Sequence, residues 1–334
     1  MSAIQISVTG KEKIAFVGDV HFDTSTPSSR LDDYMKTCCE KIKAIGSICK
    51  TEQVSYLFFA GDIFNRIQCS HECVNRAGEA LLFIKAQRVR LFSICGNHDL
   101  FRNSLVKLPQ SPIETLFRFG VLEHVCSDTP VEFYLAGTQD KNPLLKVSAC
   151  DYPEEIPMSD RGFKSNVLLA HRFFDKEAFL CGDDENITRD KMSRYGFDMA
   201  FLGHDHEEYP NVMCGKTLVV RRGSLLRGTA HDYNFIRKPG FIIMDDMAKP
   251  RDVRKILIPY LPYRDIVSQA VLNKKTSSSQ NVNKQVLQDL AAKLSAKHDA
   301  DKEEEDMVLK MVQTDTSIPD ACRMILLDYI NRAT

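Results

Sequence analysis

The chain has 334 residues, 44 basic against 45 acidic side chains, a net charge of −1 and 43% apolar residues. That length and apolar content suffice for one sizeable core plus a smaller module, and no run is long and apolar enough to cross a membrane. The near-neutral charge argues against a protein that grips duplex nucleic acid unaided, and eleven cysteines at scattered spacings make neither a disulfide framework nor a zinc knuckle.

The first residues, Met-Ser-Ala-Ile-Gln, feed no basic segment into an apolar one. A cytoplasmic or nucleoid-associated protein with free thiols is therefore expected, with Cys49 and Cys95 inside the core. Lys13–Val17 is a short apolar run that reads as a buried strand, and it ends at Asp19-Val20-His21. Tyr56–Ala60 repeats the pattern and ends at Gly61-Asp62, and Arg90–Cys95 ends at Gly96-Asn97-His98-Asp99. Asn166–Ala170 runs into His171, and Phe197–Leu202 into Gly203-His204-Asp205-His206. In a layered α/β fold the loops leaving strand ends at one edge converge on one cleft, so five distant clusters are expected to meet.

Between the fourth and fifth clusters, the acidic stretch Gly182–Asn186 reads as a solvated loop that leads into a short helix from Thr188. Gly240–Asp245 and Lys255–Pro259 read as edge strands that close a catalytic region spanning residues 1–265. Residues 266–283 read as a linker, whose stretch 273–283 is poor in apolar side chains and rich in Ser, Asn and Lys. Residues 284–334 carry apolar side chains at helical spacing, among them Val286, Leu287, Leu290 and Leu294, and are expected to form a small helical module.

The residue types suit two adjacent divalent ions. Hydrolysis of a phosphodiester by a metal pair needs a bridging ligand, a carboxylate or imidazole set on each ion, and one open face. Asp62, a single carboxylate on a turn, is the natural bridge. Asp19, His21 and His206 complete the shell of the first ion, and Asn97, His171 and His204 that of the second. A mixed nitrogen and oxygen set without thiolate suits manganese, iron(II) or zinc. His98 remains for the substrate, as general acid to the leaving oxygen or as a positive charge facing the phosphate, with Asp99 expected to accept from its ring and fix the tautomer. Arg221, Arg222 and Arg227 follow the last histidines and are the expected contacts to phosphate.

The series Asp19-x-His21, Gly61-Asp62, Gly96-Asn97-His98-Asp99, His171 and Gly203-His204-x-His206 resembles the calcineurin-like metallophosphoesterase superfamily over about residues 10–265. The resemblance implies a central β-sandwich flanked by helices with a dimetal site on one edge. Ala60-Gly-Asp-Ile-Phe64 and Gly223-Ser-Leu-Leu-Arg227 are similar to segments of the DNA double-strand-break repair nucleases of SbcD type, and a reduced, phage-like version fits the short tail. Arg222 departs from that pattern, which often has proline there. That likeness implies manganese-dependent exonuclease and endonuclease activity in DNA repair or recombination. It also implies docking of the C-terminal helices on an SMC-like ATPase of SbcC type, and a homodimer through catalytic-region helices such as residues 31–50. The superfamily also holds phosphatases and nucleotide phosphodiesterases, so a non-DNA substrate is the alternative.

Overall fold

The structure, a computed structural model, describes residues 2–137, 142–176, 186–229 and 233–268, and the expected helical module lies outside them. Two sheets make its centre. One has six strands in the order Val253–Leu257, Gly240–Met244, Lys13–Val17, Val54–Phe59, Arg90–Ser93 and Glu123–His124. The other has seven, in the order Ile4–Val8, Val131–Leu135, Asn142–Cys150, Ser165–His171, Met199–Gly203, Thr217–Arg221 and Tyr209–Cys214.

Strand periodicity explains the layering. In Lys13–Val17 and Val54–Phe59, alternate residues Ile14, Phe16, Tyr56 and Phe58 face the second sheet and share a core with its Val167, Leu169, Met199 and Phe201. The Phe16 and Phe201 rings stack across that gap at 5.5 Å. The other set, Ala15, Val17, Leu57 and Phe59, faces the helices Tyr34–Glu52 and His71–Lys85, which bury Met35, Cys38, Ile42, Ile45, Ala77, Leu81 and Ile84 against it. The outer face of the seven-stranded sheet packs Leu168, Ala170, Ala200 and Leu202 against Phe197 and the short helix Arg189–Tyr195 through Met192. Thr188 starts that helix as expected, its side chain accepting from the Lys191 backbone N–H.

Cys49 and Cys95 are fully buried. The strand Gly240–Met244 lies inside its sheet, between Lys13–Val17 and Val253–Leu257, so only the latter is an edge. Its wholly buried pattern fits that position better than the edge place expected from chain order. Packing also continues past residue 265. Ile266 and Val267 are buried, Ile266 accepts from the Leu31 N–H, and Ser268 donates to the Ser29 carbonyl, so the compact unit runs to Ser268.

Phe58 is fully buried between Phe16 and Phe92, with ring centroids 5.4 and 4.7 Å away. Phe58→Ala is expected to lower the unfolding free energy by about 3–5 kcal/mol in a urea titration, because the facing sheets are too constrained to collapse into the space.

Candidate metal centre

The loops that leave Lys13–Val17, Val54–Phe59 and Arg90–Ser93 in one sheet, and Ser165–His171 and Met199–Gly203 in the other, meet at one end of the sandwich. Strand pairing and loop hydrogen bonds place several of them: His171 is in register with Gly203, and the Asp62 carbonyl accepts from the N–H groups of Val20 and His21. Gly61 permits the closest approach. A Cβ there would lie 2.6 Å from the Gly96 nitrogen and 2.8 Å from its Cα, and its φ of +86° is open mainly to glycine. His21, Asp62 and His204 also hold left-handed backbones, at φ 58°, 48° and 86°. Such conformations cost on the order of 1–3 kcal/mol each and persist where the surroundings over-determine them.

Two donor groups result. Asp19, His21, Asp62 and His206 offer atoms within 4.8 Å of one another, and so do Asp62, His171 and His204. Asp62 belongs to both. Its Oδ2 lies 3.6 Å from His21 Nε2 and 3.3 Å from His171 Nε2, while its Oδ1 accepts from the His98 backbone N–H at 2.9 Å. Asn97 Oδ1 is 3.0 Å from His171 Nε2, which puts it on the second group. His171 Nδ1 donates to the Ala60 carbonyl at 2.7 Å, so that Nε2 is the nitrogen turned toward the carboxylates. Asp19 accepts from the His204 N–H through both oxygens, at 3.1 and 3.2 Å.

Divalent ions fit this arrangement. Asp62 Oδ2 and His204 Nε2 are buried without a hydrogen-bond partner among the described residues, a costly state that a cation would relieve. Protonation agrees with it. Burial drives His21 well below its usual range, and burial together with His171 pushes His204 down to about 3, so both present lone pairs. Burial opposes charge on Asp62, but the imidazoles of His171, His21 and His98 outweigh it and hold the carboxyl well below the usual range. His171 is the exception. Burial lowers it, yet the carboxylates of Asp62 and Asp19 raise it to about 9, and it holds the proton that an ion would displace.

Two expectations change. His98 Nδ1 donates to the backbone carbonyl of Asn65 at 2.6 Å and not to Asp99. Asp99 is fully buried and accepts from the N–H groups of Ile63, Phe64 and Gly96 at 3.0–3.2 Å, pinning the Gly61-Asp62 turn to the Gly96 loop. Burial and the nearby Asp62 carboxylate push it up to about 7. The arginines differ as well. Arg221, Arg222 and Arg227 are only 8, 9 and 3% exposed, with their guanidinium groups engaged by protein. Arg221 stacks on Tyr209 and Phe174 and donates to the Phe174 carbonyl, Arg222 pairs with Glu208 at 2.9 Å, and Arg227 donates to the Leu261 carbonyl between Tyr260 and Tyr263. Chain proximity to His206 put them near the edge, but their stems turn inward to anchor the flanking segments.

Other neighbours escaped the sequence pattern. Asp23 accepts from the Asn65 side chain and Arg66, each at 2.8 Å, and so steadies the carbonyl that orients His98. It stands two residues after His21, the one hint the sequence offers. Phe173 lies against the His204 ring at 3.9 Å and Arg172 over Tyr152 at 4.9 Å, contacts that no spacing rule contains.

The calcineurin-like phosphoesterase family matches residues 12–208, which include every one of these donors. The chain belongs to that family. This calcineurin-like phosphoesterase is similar to the DNA double-strand break repair protein Mre11 of Methanocaldococcus jannaschii, at 20% identity over 254 residues, 75% of this chain and 66% of that protein. It is similar at 23% identity over 180 residues to Mre11 of Methanosarcina mazei, covering 54% of this chain and 28% of that protein. The chain thus spans about two thirds of the first relative and little over a quarter of the second. Among solved structures, a dimetal phosphatase from Danio rerio is 11% identical with a TM-score of 0.44 over 70% of this chain and 92% of that one.

Because Asp62 serves both groups, Asp62→Asn is expected to weaken both ions together by at least about a hundredfold, whereas His204→Ala should spare the first ion. Metal titration followed by elemental analysis separates these outcomes. Loading the second group should release about one proton near neutral pH, from His171, so affinity for that ion rises up to about tenfold per pH unit below about 9. Calorimetry in buffers of different ionisation heat measures that proton directly.

Proposed function

We propose that this phosphoesterase is a manganese-dependent phosphodiesterase that cuts DNA, as exonuclease and endonuclease, and works in DNA repair or recombination beside an SMC-like ATPase. The observation that carries the reading is the shared Asp62 between two donor groups, with His98 alongside. Two divalent ions held there would polarise phosphate oxygens and acidify a water, and the two carboxylates offset only half of their charge, so the centre stays attractive to a phosphodiester.

The protein's own residues do the rest. Asp19 and Asp62 are fixed by backbone N–H groups, so the donors need no reorganisation when substrate arrives. The Asn65 carbonyl accepts a hydrogen bond from His98 Nδ1–H, which leaves Nε2 for the substrate. As the water oxygen bonds to phosphorus, its released proton passing to solvent, and the phosphorus–ester bond breaks, a protonated His98 gives its Nε2 proton to the leaving oxygen. The same imidazolium also stabilises charge on the phosphate before the transfer.

DNA as substrate is supported by the names of both curated relatives, and a near-neutral chain fits a nuclease whose partner supplies much of the grip. In this reading residues 284–334 dock on an ATPase of SbcC type, and catalytic-region helices pair two copies. The burial of Arg221, Arg222 and Arg227 favours a second reading, a phosphatase or nucleotide phosphodiesterase with a smaller substrate.

Linear duplex DNA and bis-p-nitrophenyl phosphate, each with Mn²⁺, test the proposal. The protein is expected to cleave both, and His98→Asn to lose roughly 10²–10⁴-fold in rate while retaining both ions. Cleavage of the small diester alone, with the SMC-like ATPase present, would select the second reading.

A further inference from the structure

Behind the metal centre lies another donor cluster that the reaction above does not use. Cys95 closes the strand Arg90–Ser93 just before Gly96-Asn97, His124 sits on the neighbouring strand, and Asp151 follows Asn142–Cys150 in the opposite sheet. One donor atom from each lies within 4.8 Å of the other two. His124 Nε2 is 2.7 Å from Asp151 Oδ2 and 3.8 Å from Cys95 Sγ. We infer that Cys95, His124 and Asp151 form a third metal site, selective for a thiophilic ion such as Zn²⁺ and separate from the catalytic pair.

The chemistry of the donors sets the selectivity. The catalytic groups hold only imidazole, carboxylate and amide, which suit manganese, iron(II) or zinc alike, whereas a thiolate beside imidazole and carboxylate favours zinc over manganese. A tetrahedral ion with bonds of about 2.0–2.3 Å spaces its donors by roughly 3.3–3.7 Å, so small side-chain shifts accommodate it. The supporting contacts are in place. Asp151 Oδ1 accepts from the Cys95 N–H at 2.6 Å, leaving Oδ2 for the ion, and Phe117 stacks on the His124 ring at 4.5 Å and fixes its plane. Cys95 and Asp151 are buried, while the His124 side chain is 24% exposed and opens a way in. Glu154 accepts from the Ser127 N–H and hydroxyl and the Asp151 N–H, and Cys126 Sγ is engaged with the Thr129 hydroxyl at 3.2 Å, which leaves the fourth position open to water. When the sulfur–metal bond forms, the thiol proton passes to solvent.

An ion here would tie together the ends of two facing strands one residue from the loop that presents Asn97. The Tyr152 N–H already donates to the Cys95 carbonyl at 2.9 Å across the same junction. Its role would be to stiffen that loop.

Cobalt(II) is the probe, because a thiolate ligand gives it a near-ultraviolet charge-transfer band and the catalytic donors contain no sulfur. Titrating metal-stripped full-length protein should raise this band to a saturating amplitude of one thiolate-bound ion per chain, the catalytic donors taking up cobalt without adding to it. It should persist in Asp62→Asn, bleach with Zn²⁺ but not Mn²⁺, and vanish in Cys95→Ser and in His124→Gln, with folding checked by circular dichroism. Absence of the band, or its survival in Cys95→Ser or at unchanged affinity in His124→Gln, would overturn the site and leave an ordinary His–Asp pair beside a buried thiol. Should Cys95→Ser fail to fold, the partly exposed His124 still decides the question.

Discussion

Asp62 sits fully buried at the meeting point of two sheets, with Oδ1 held by the His98 N–H and Oδ2 facing His21 and His171. An ionised carboxylate in that position is costly unless opposite charge surrounds it. Four histidines and a second carboxylate converge on it; burial keeps His21 and His204 neutral, and His171 answers the charge of Asp62. His171 is raised by it, while its imidazole neighbours depress Asp62 in return. Packing follows the same requirement: Gly61 and Gly96 lack side chains where the two loops that frame this carboxylate touch.

The scaffold reaches this point through strand ends. Parallel pairing of Lys13–Val17, Val54–Phe59 and Arg90–Ser93 brings three loops out at one edge of the first sheet, and Ser165–His171 beside Met199–Gly203 does so in the second. Asp99 and Asp151 then act as clamps between loops. Asp99 collects three N–H groups around the Asp62 turn, and Asp151 joins the Cys95 backbone to the opposite sheet. Rigid placement of this kind suits chemistry that depends on donors being fixed before the substrate arrives.

The arginines after the last histidines illustrate how charge in a sequence differs from charge on a surface. Arg221 backs the loop of His204 and His206 by stacking on Tyr209 with Asp205 3.9 Å away, and Arg227 fastens the segment around Leu261. A long side chain satisfies buried carbonyls as readily as it reaches water, and composition does not distinguish the two.

The sequence by itself determined the strands and the order of the donors. Short continuous apolar runs form strands wherever both faces are covered, and side chains able to hold a metal are chemically distinctive and remain visible as letters: Asp19, His21, Asp62, His171, His204 and His206, which the structure gathers into two donor groups, and Asn97 beside His171 were all legible. Only the tertiary structure decided what those residues lean on. The partner of His98 is the carbonyl of Asn65, a group every residue carries, so no side-chain pattern announces it. The adjacent Asp99 was the natural choice along the chain, but the tight turn at Gly96 directs its carboxylate to the backbone of Ile63 and Phe64. The inward turn of Arg221, Arg222 and Arg227, the central place of Gly240–Met244 and the approach of Cys95, His124 and Asp151 across two sheets share one cause. Each depends on contacts between segments far apart in the chain, where packing and hydrogen-bond satisfaction outweigh local preference.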